Sequence, residues 1–523
     1  MLSLLPAISR EKTLTIAIYI CGLLLLLPSL ASSQNRITIN RAKEVMGVTM
    51  EGERVRKLLG NVSLRTQNMV MFCDSAYQFL EKNEVRAFGN IEINTPDEQI
   101  YADTLIYFTD LDFSQLRGRV IIEADSATLY SQAVDYRFSS KVGHFIEHVR
   151  LEDPEGTLTA NSGFYYREPD SAVFRGDVQI SDSLQYAEGD SLFINRRKNS
   201  YRLYSNVFVD DRENHVMLKG DSLKADSVGH RSLLGNAWLK KFKPPPDTSR
   251  ADTANADRTP LSPDSLAAQT TPADTSAEST SSDTTHIQAR TIHSYRRTTV
   301  ADTQAVINAY QNVRIWSPKF AATADTARYN DQTEIFKLSS NPVAWHKQIQ
   351  LTGPYIEVML EGDEIDRLTS YPAPFIVQQD TTLDRLHQMT GDTLKAYFTD
   401  GDISRIHLYP NSHLFYFTKD NNGQSDGAVD MTSPSIRIFF ENGELVEMKA
   451  QGPGDGTYLP ESEQTAKRRL DGFAWTPDQR PQKPTGSMKR RLPPIPQEIS
   501  FTLPRRYLED NQNVLVQEPK DQE

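Results

Sequence analysis

Leu58-Leu59-Gly60-Asn61-Val62-Ser63-Leu64 is a phrase that the chain repeats, in register, for most of its length. With Asn61 as position zero, steps of 29 residues reach Asn90, Arg119, His148, Asp177 and Asn206, with Asn236 one residue late. Three residues before each stands Leu58, Ala87, Leu116, Phe145, Phe174, Leu203 or Leu233, and one after stands Val62, Ile91, Val120, Val149, Val178, Val207 or Ala237. Three after comes Leu64, Ile93, Ile122, Leu151, Ile180, Val209 or Leu239. Side chains two apart share a face of an extended strand, so the odd offsets form one apolar stripe. The even offsets, with Ser63, Arg119, Arg150 and Gln179 among them, read as a wet face. Position −1 is Gly60, Gly89, Gly118, Gly176 and Gly235, with Glu147 and Ser205 as departures. Placed on the stripe, these glycines mark a bend or close approach and leave space inside it.

A second strand follows in each unit. Offset +12 is always small (Cys73, Ala102, Ser131, Ala160, Gly189), and Asp74, Asp103, Gln132, Asn161 and Asp190 follow at +13. Tyr107, Tyr136 and Tyr165 stand at +17. A unit this short cannot bury its own apolar face, so successive units must stack. The expected fold is all-β: an elongated solenoid of two-strand repeats.

The 523 residues carry a net charge of −12, which speaks against nucleic acid as a partner because phosphate binding needs clustered Lys and Arg. Residues 1–33 have the form of a secretory signal: Arg10 and Lys12, an apolar run from Leu14 to Leu27, then Ala31 and Ser33. Retention of that run as an anchor is the alternative. Once the leader is removed Cys73 is the remaining cysteine, and its small +12 position reads as buried packing rather than chemistry.

The first run of repeats spans 36–243. Residues 244–285, rich in Thr, Ser, Asp, Ala and Pro, read as a disordered insertion that interrupts one repeat at its turn. The array resumes over 286–451, with Asn312 at position zero and Ala324-Asp325-Thr326 at +12 to +14. Residues 452–523, Pro-rich and basic, read as a largely disordered tail without its own core, with Phe473 and Trp475 able to dock it locally. Unpaired sheet edges are expected near 37–48 and 436–448, each a place for another chain's strand.

No catalytic motif appears among the residues. His144 and His148 are four apart, a spacing that gathers metal ligands on a helix, whereas the local pattern is strand. The recurrent Asp74, Asp103, Asp190, Asp221, Asp325 and Asp392 supply one carboxylate per repeat, too few for the six or so oxygens of a calcium ion, and read instead as a ladder bonded to turn amides. The chain is therefore expected to be no enzyme, with neither cofactor nor metal.

The G-N-V units (Gly60-Asn61-Val62, Gly89-Asn90-Ile91, Gly176-Asp177-Val178, Gly235-Asn236-Ala237) alternate with A-D-T/S-L-x-Y units (Ala102-Asp103-Thr104-Leu105-Ile106-Tyr107, Gly189-Asp190-Ser191-Leu192). Together with the export signal, this alternation resembles the OstA-like, LptA-type family of periplasmic lipopolysaccharide-transport proteins, in its long Bacteroidetes-type form. The resemblance covers roughly 36–450. It implies an open β-jellyroll whose apolar slot takes lipid A acyl chains, a place in the periplasm at the outer-membrane side of the envelope, and other transport proteins as edge-to-edge partners, with self-association. On that reading the slot is lined by Val62, Leu64, Ile91, Ile93, Val120, Ile122, Val149, Leu151, Val178, Ile180, Val207 and Val209. The alternatives are an exported structural or adhesive β-solenoid, and a polysaccharide-acting β-helix enzyme.

Overall fold

The computed structural model describes residues 37–124, 127–242, 284–298, 303–362, 364–441 and 444–495. The expected leader at 1–33 lies outside them, as do residues 244–283 of the expected insertion and 496–523 of the expected tail. The described chain is almost wholly antiparallel strand, with a five-residue helix at Glu463–Lys467. It divides into two compact units: 37–124 with 132–140, and 127–131 with 141–495.

Each unit is built from long strands that bend at position zero. Glu53–Arg65 pairs with Val70–Phe79 so that Leu59 faces Ser75 and Val62 faces Cys73, leaving Gly60 and Asn61 together opposite Asp74. Two residues against one is a β-bulge, which bends the strand and sharpens its twist. Gly60 and Asn61 take φ of +73° and +47°, and the pairs Gly89/Asn90, Gly176/Asp177 and Gly235/Asn236 do the same. This left-handed conformation is free for glycine and tolerated by Asn and Asp, which is why the repeat is spelled G-N.

The bulge corrects one sequence expectation. Position −1 belongs to the corner and makes no space on the inner stripe. A Cβ on Gly89 would stand 2.5 Å from the Asp74 carboxylate, and one on Gly176 2.7 Å from the Asn161 side chain. That aspartate is the other half of the corner: Asn90 donates to Asp74 at 2.9 Å, Asn206 to Asp190 at 2.7 Å and Asn411 to Asp392 at 2.7 Å, while the Arg119 amide donates to Asp103 at 2.9 Å. The aspartates thus bond the position-zero residue of the next strand. Replacing Asn206 by alanine removes its hydrogen bond and puts a Cβ-bearing residue without polar compensation at φ +54°. A loss of about 1–2 kcal/mol is expected, with Asn206→Gly losing less, read from denaturant midpoints.

Past the corner each strand enters a second sheet. From Ala321–Asn330 onward the two halves are separate strands. Residues 326–330 pair with Ile335–Ser339, whereas 321–323 pair with Val343–His346. Sheet one continues through Tyr355–Glu361, Glu364–Tyr371, Thr393–Thr399, Asp402–Tyr409 and Ser435–Glu441 to Glu444–Gln451. Sheet two continues through Ile349–Thr352, Phe375–Asp380, Arg385–Thr390, Ser412–Lys419 and Ser425–Ser433 to Asp455–Pro460. The chain crosses between sheets after every hairpin, as a two-sheet jellyroll does. The strand Arg231–Phe242 pairs directly with Thr284–Thr298, so the interruption between them falls within one hairpin.

The outermost strands are Thr38–Arg41 and Glu44–Met50, both against Glu53–Arg65, in the first unit. In the second they are Glu444–Gln451 on sheet one and Asp455–Pro460 on sheet two. The latter lies in the expected tail. Within that tail Leu470 joins a buried cluster with Phe375, Phe415 and Phe417, and Phe473 and Trp475, the residues read as able to dock it, pack against the cluster.

Candidate functional site

Directly opposed residues make two continuous inner rows in the second unit. Along sheet two, Leu129, Leu151, Leu158, Ile180, Ala187, Val209, Leu218, Leu239, Ile287 and Ile315 face one another strand by strand. The row goes on through Ala322, Ala344, Leu351, Ile376, Met389, Leu414 and Met431. Along sheet one the matching row runs Phe174, Leu192, Leu203, Leu223, Leu233, Ile292, Ala309, Ala327, Leu338 and Ile356. In the first unit Leu64, Met71, Ile93, Ile100 and Ile122 form the same row.

The twelve stripe residues fall on these inner surfaces. Val62, Leu64, Ile91, Ile93, Val120 and Ile122 are buried in the first unit, and Val149, Leu151, Val178, Val207 and Val209 in the second; Ile180 is half-buried. Beside the corner each +1 side chain faces a small one: Val62 faces Cys73, Ile91 Ala102, Val149 Ala160 and Val178 Gly189. Small residues are needed there because the neighbouring strand's −3 side chain closes over them; a Cβ on Gly189 would be 3.2 Å from Leu203. Cys73 is one of these packing residues, and burial pushes its thiol pKa up to about 12.

Opposite the corner, the two rims of the second unit are fastened by side chains. Arg231, starting its strand on sheet one, donates to Asp211, ending its strand on sheet two, at 2.5 Å. Lys241 donates to the Tyr329 hydroxyl at 3.0 Å and lies 4.6 Å from the ring centre. Lys319 pairs with Glu364 and Lys347 with Asp402 in the same sense, and His346 bonds the Gly401 carbonyl at 3.1 Å. Sequence reading missed these latches because they follow no period. One signal was present: Asp153, Asp182 and Asp211 each stand five after position zero and accept turn amides.

Behind the Asp211–Arg231 and Lys241–Tyr329 latches the sheets enclose a cavity of about 500 Å³. Its floor is Val216, Leu218, Leu239, Ala305 and Ile307, and its mouth carries Glu213, Arg296 and Asp331 as well as the latch residues. Gln185, Asn214, His215, Ser294 and Tyr295 also line it, so polar and charged residues make up most of the lining and the apolar surface is confined to the floor. None of the twelve stripe residues lines it, although Leu239 occupies the +3 position of its unit.

On the outer side of the same wall His286 accepts from the Trp238 indole N–H at 3.1 Å, with the Thr284 hydroxyl 3.3 Å from its other nitrogen and Trp316 edge-on. Burial, helped by Lys240 and Lys483, lowers its pKa from 6.5 to about 4. The unfolded chain therefore binds the proton first on acidification. His286 contributes its full stability above about pH 6.5 and loses it as pH falls from 6.5 towards 4, with no further loss below. Urea midpoints measured across that window should fall in the parent and fall less in His286→Gln.

His144 stacks on Phe164 at 4.0 Å, and His148 occupies a corner at φ +47°. Among the described residues no three His, Cys, Asp or Glu side chains are grouped to hold a metal ion, and no helix is long and apolar enough to cross a membrane.

A family model described as OstA-like protein matches residues 34–190. No curated protein matches the chain. Among solved structures, it is similar to the crystal structure of LptH, the LptA-homologous periplasmic component of the conserved lipopolysaccharide transport device from Pseudomonas aeruginosa. The two are 13% identical with a TM-score of 0.22, over 27% of this chain and 95% of LptH.

Proposed function

We propose that this chain, which matches the OstA-like family model over residues 34–190, binds lipopolysaccharide through its acyl chains and carries it across the periplasm along the space between its sheets. The observation that carries this reading is the pair of unbroken apolar rows along the two sheets of the second unit, with Leu218 and Leu239 of the sheet-two row lining the cavity. Exposing acyl methylenes to water costs about 0.8 kcal/mol each, so a carrier needs a continuous apolar wall and few polar groups. Rows of similar side chains provide many near-equal positions, and a ligand shifted by one strand meets nearly the same surroundings.

A dry structural solenoid is the second reading, favoured by the burial of the stripe side chains. Depletion in cells separates the two. If newly made lipopolysaccharide stalls short of the cell surface when the protein is removed, the carrier reading holds; normal delivery with altered envelope mechanics supports the scaffold. Strand addition at Glu44–Met50 and at Glu444–Gln451 is the proposed means of joining partners or further copies.

A further inference from the structure

After the helix Glu463–Lys467, the chain runs back across the strands of sheet two on the face away from the inner row. Two buried glutamines read its main chain in the same way. Gln388 donates to the Arg468 carbonyl at 3.0 Å and accepts from the Leu470 amide at 2.8 Å; Gln350 donates to the Ala474 carbonyl at 3.0 Å and accepts from the Thr476 amide at 2.8 Å. Farther along, the Glu188 carboxylate accepts from the amides of Arg491 and Leu492 at 2.7 and 3.1 Å. Buried amides and carboxylates must find partners, and here all three find the backbone of one extended segment.

The outer face therefore departs from the wet face read from the sequence: Gln179, Phe208 and Trp238, all at offset +2, are buried. The two parts of the returning segment are held differently. Up to Thr476 it is anchored by Leu470, Phe473 and Trp475 in the apolar cluster. Beyond it, Pro477, Pro481 and Pro484 lack the N–H that a ladder requires, and the segment joins no strand. What holds it is Arg480 on the Lys347 carbonyl at 2.9 Å, the Ser487 carbonyl accepting from Lys219 at 3.3 Å, Arg490 stacked 3.8 Å from the Tyr186 ring centre, and Arg491 paired with Asp190 at 2.8 Å.

The place of these contacts matters. Leu218 and Leu239 line the cavity, while their chain neighbours Lys219 and Trp238, facing the other way, meet Ser487 and Gly486. We infer that the outer face of sheet two is a docking track for an extended peptide, that its occupant is the chain's own C-terminal segment, and that residues 477–492 form a releasable brace on the back of the cavity wall. Only the link to ligand entry rests on the proposed function. A segment held by side-chain contacts alone opens locally without unfolding the sheets beneath it. Its release leaves the wall formed by Val216–Ala225 and Arg231–Phe242 freer to move outward.

The test uses the full chain and two variants, Glu188→Gln on the track and the double change Arg490→Ala, Arg491→Ala on the brace. The second leaves every sheet residue in place, so it stands if the first fails to fold. Trypsin cleavage after Lys489 is expected to become about tenfold faster, with amide exchange also faster in Val216–Ala225, while strand content by circular dichroism is unchanged. Cleavage at the parental rate in the double variant overturns the releasable brace. Faster cleavage with unaltered wall exchange overturns the bracing. Uptake of a pyrene-labelled fatty acid is then expected to speed up in the variants; absence of uptake in every form counts against the lipid reading and leaves the brace standing.

Discussion

Replacing Asp211 by alanine is expected to destabilise the second unit by about 3–5 kcal/mol, the cost of leaving one partner of a buried ion pair uncompensated. The Asp211 side chain is 0% exposed and that of Arg231 22%. Arg231 also donates to the Gln185 side chain, at 3.3 Å, and Asp211 also accepts from Asn214. Removing the carboxylate thus leaves a cation at the cavity rim with a neutral amide in place of its counter-ion, and unties a turn at once. The double variant Asp211→Ala, Arg231→Leu should recover much of the loss, because two apolar side chains need no pairing. Amide exchange in Ser200–Asp211 and Arg231–Phe242 measures both effects locally, which suits a stacked array better than a single unfolding midpoint. Equal losses in the single and double variants would show that the latch is not an ion pair in the energetic sense.

Gly235→Val is expected to cost about 3 kcal/mol or more. Gly235 has φ +70°, which a β-branched residue adopts only with strain, and its Cβ would collide with the Asp221 carboxylate that bonds Asn236. The control is Gly229→Val, where φ is +79° but nothing lies within 4 Å of the new Cβ. That change carries the backbone strain without the collision. A clear gap between the two thermal midpoints, with Gly235→Val lower, is the result the corner geometry requires.

The features legible in the chain were those that repeat. Alternation around Asn61 marks strands because burial of one face demands it, and the 29-residue step marks stacking because every unit must meet the same neighbour. Gly60 was legible as a special position but not as a corner: simple alternation puts it inward, and the bulge that removes it from the stripe depends on the register with Asp74. The even offsets read as a wet face, yet Trp238 at +2 is buried, because Gly486, which lies beside it, comes from far along the chain in a segment with no period of its own. The same holds for Arg231 and Asp211, which meet only because two sheets fold over one corner. Local patterns thus reveal what each strand does, while contacts between distant, non-repeating residues emerge only from the fold.

If acyl chains travel between the sheets, a photo-crosslinking amino acid on the inner surface will capture them in living cells, and no measurement tests the carrier reading more directly. The positions to label are Leu218 or Ile307 in the cavity and Val120 or Val178 on the stripe. Lipopolysaccharide joined to the protein from these inner positions, and not from the solvent-facing Arg314, is the predicted result. Failure of every inner position to capture lipid, in protein that is folded and exported, contradicts it.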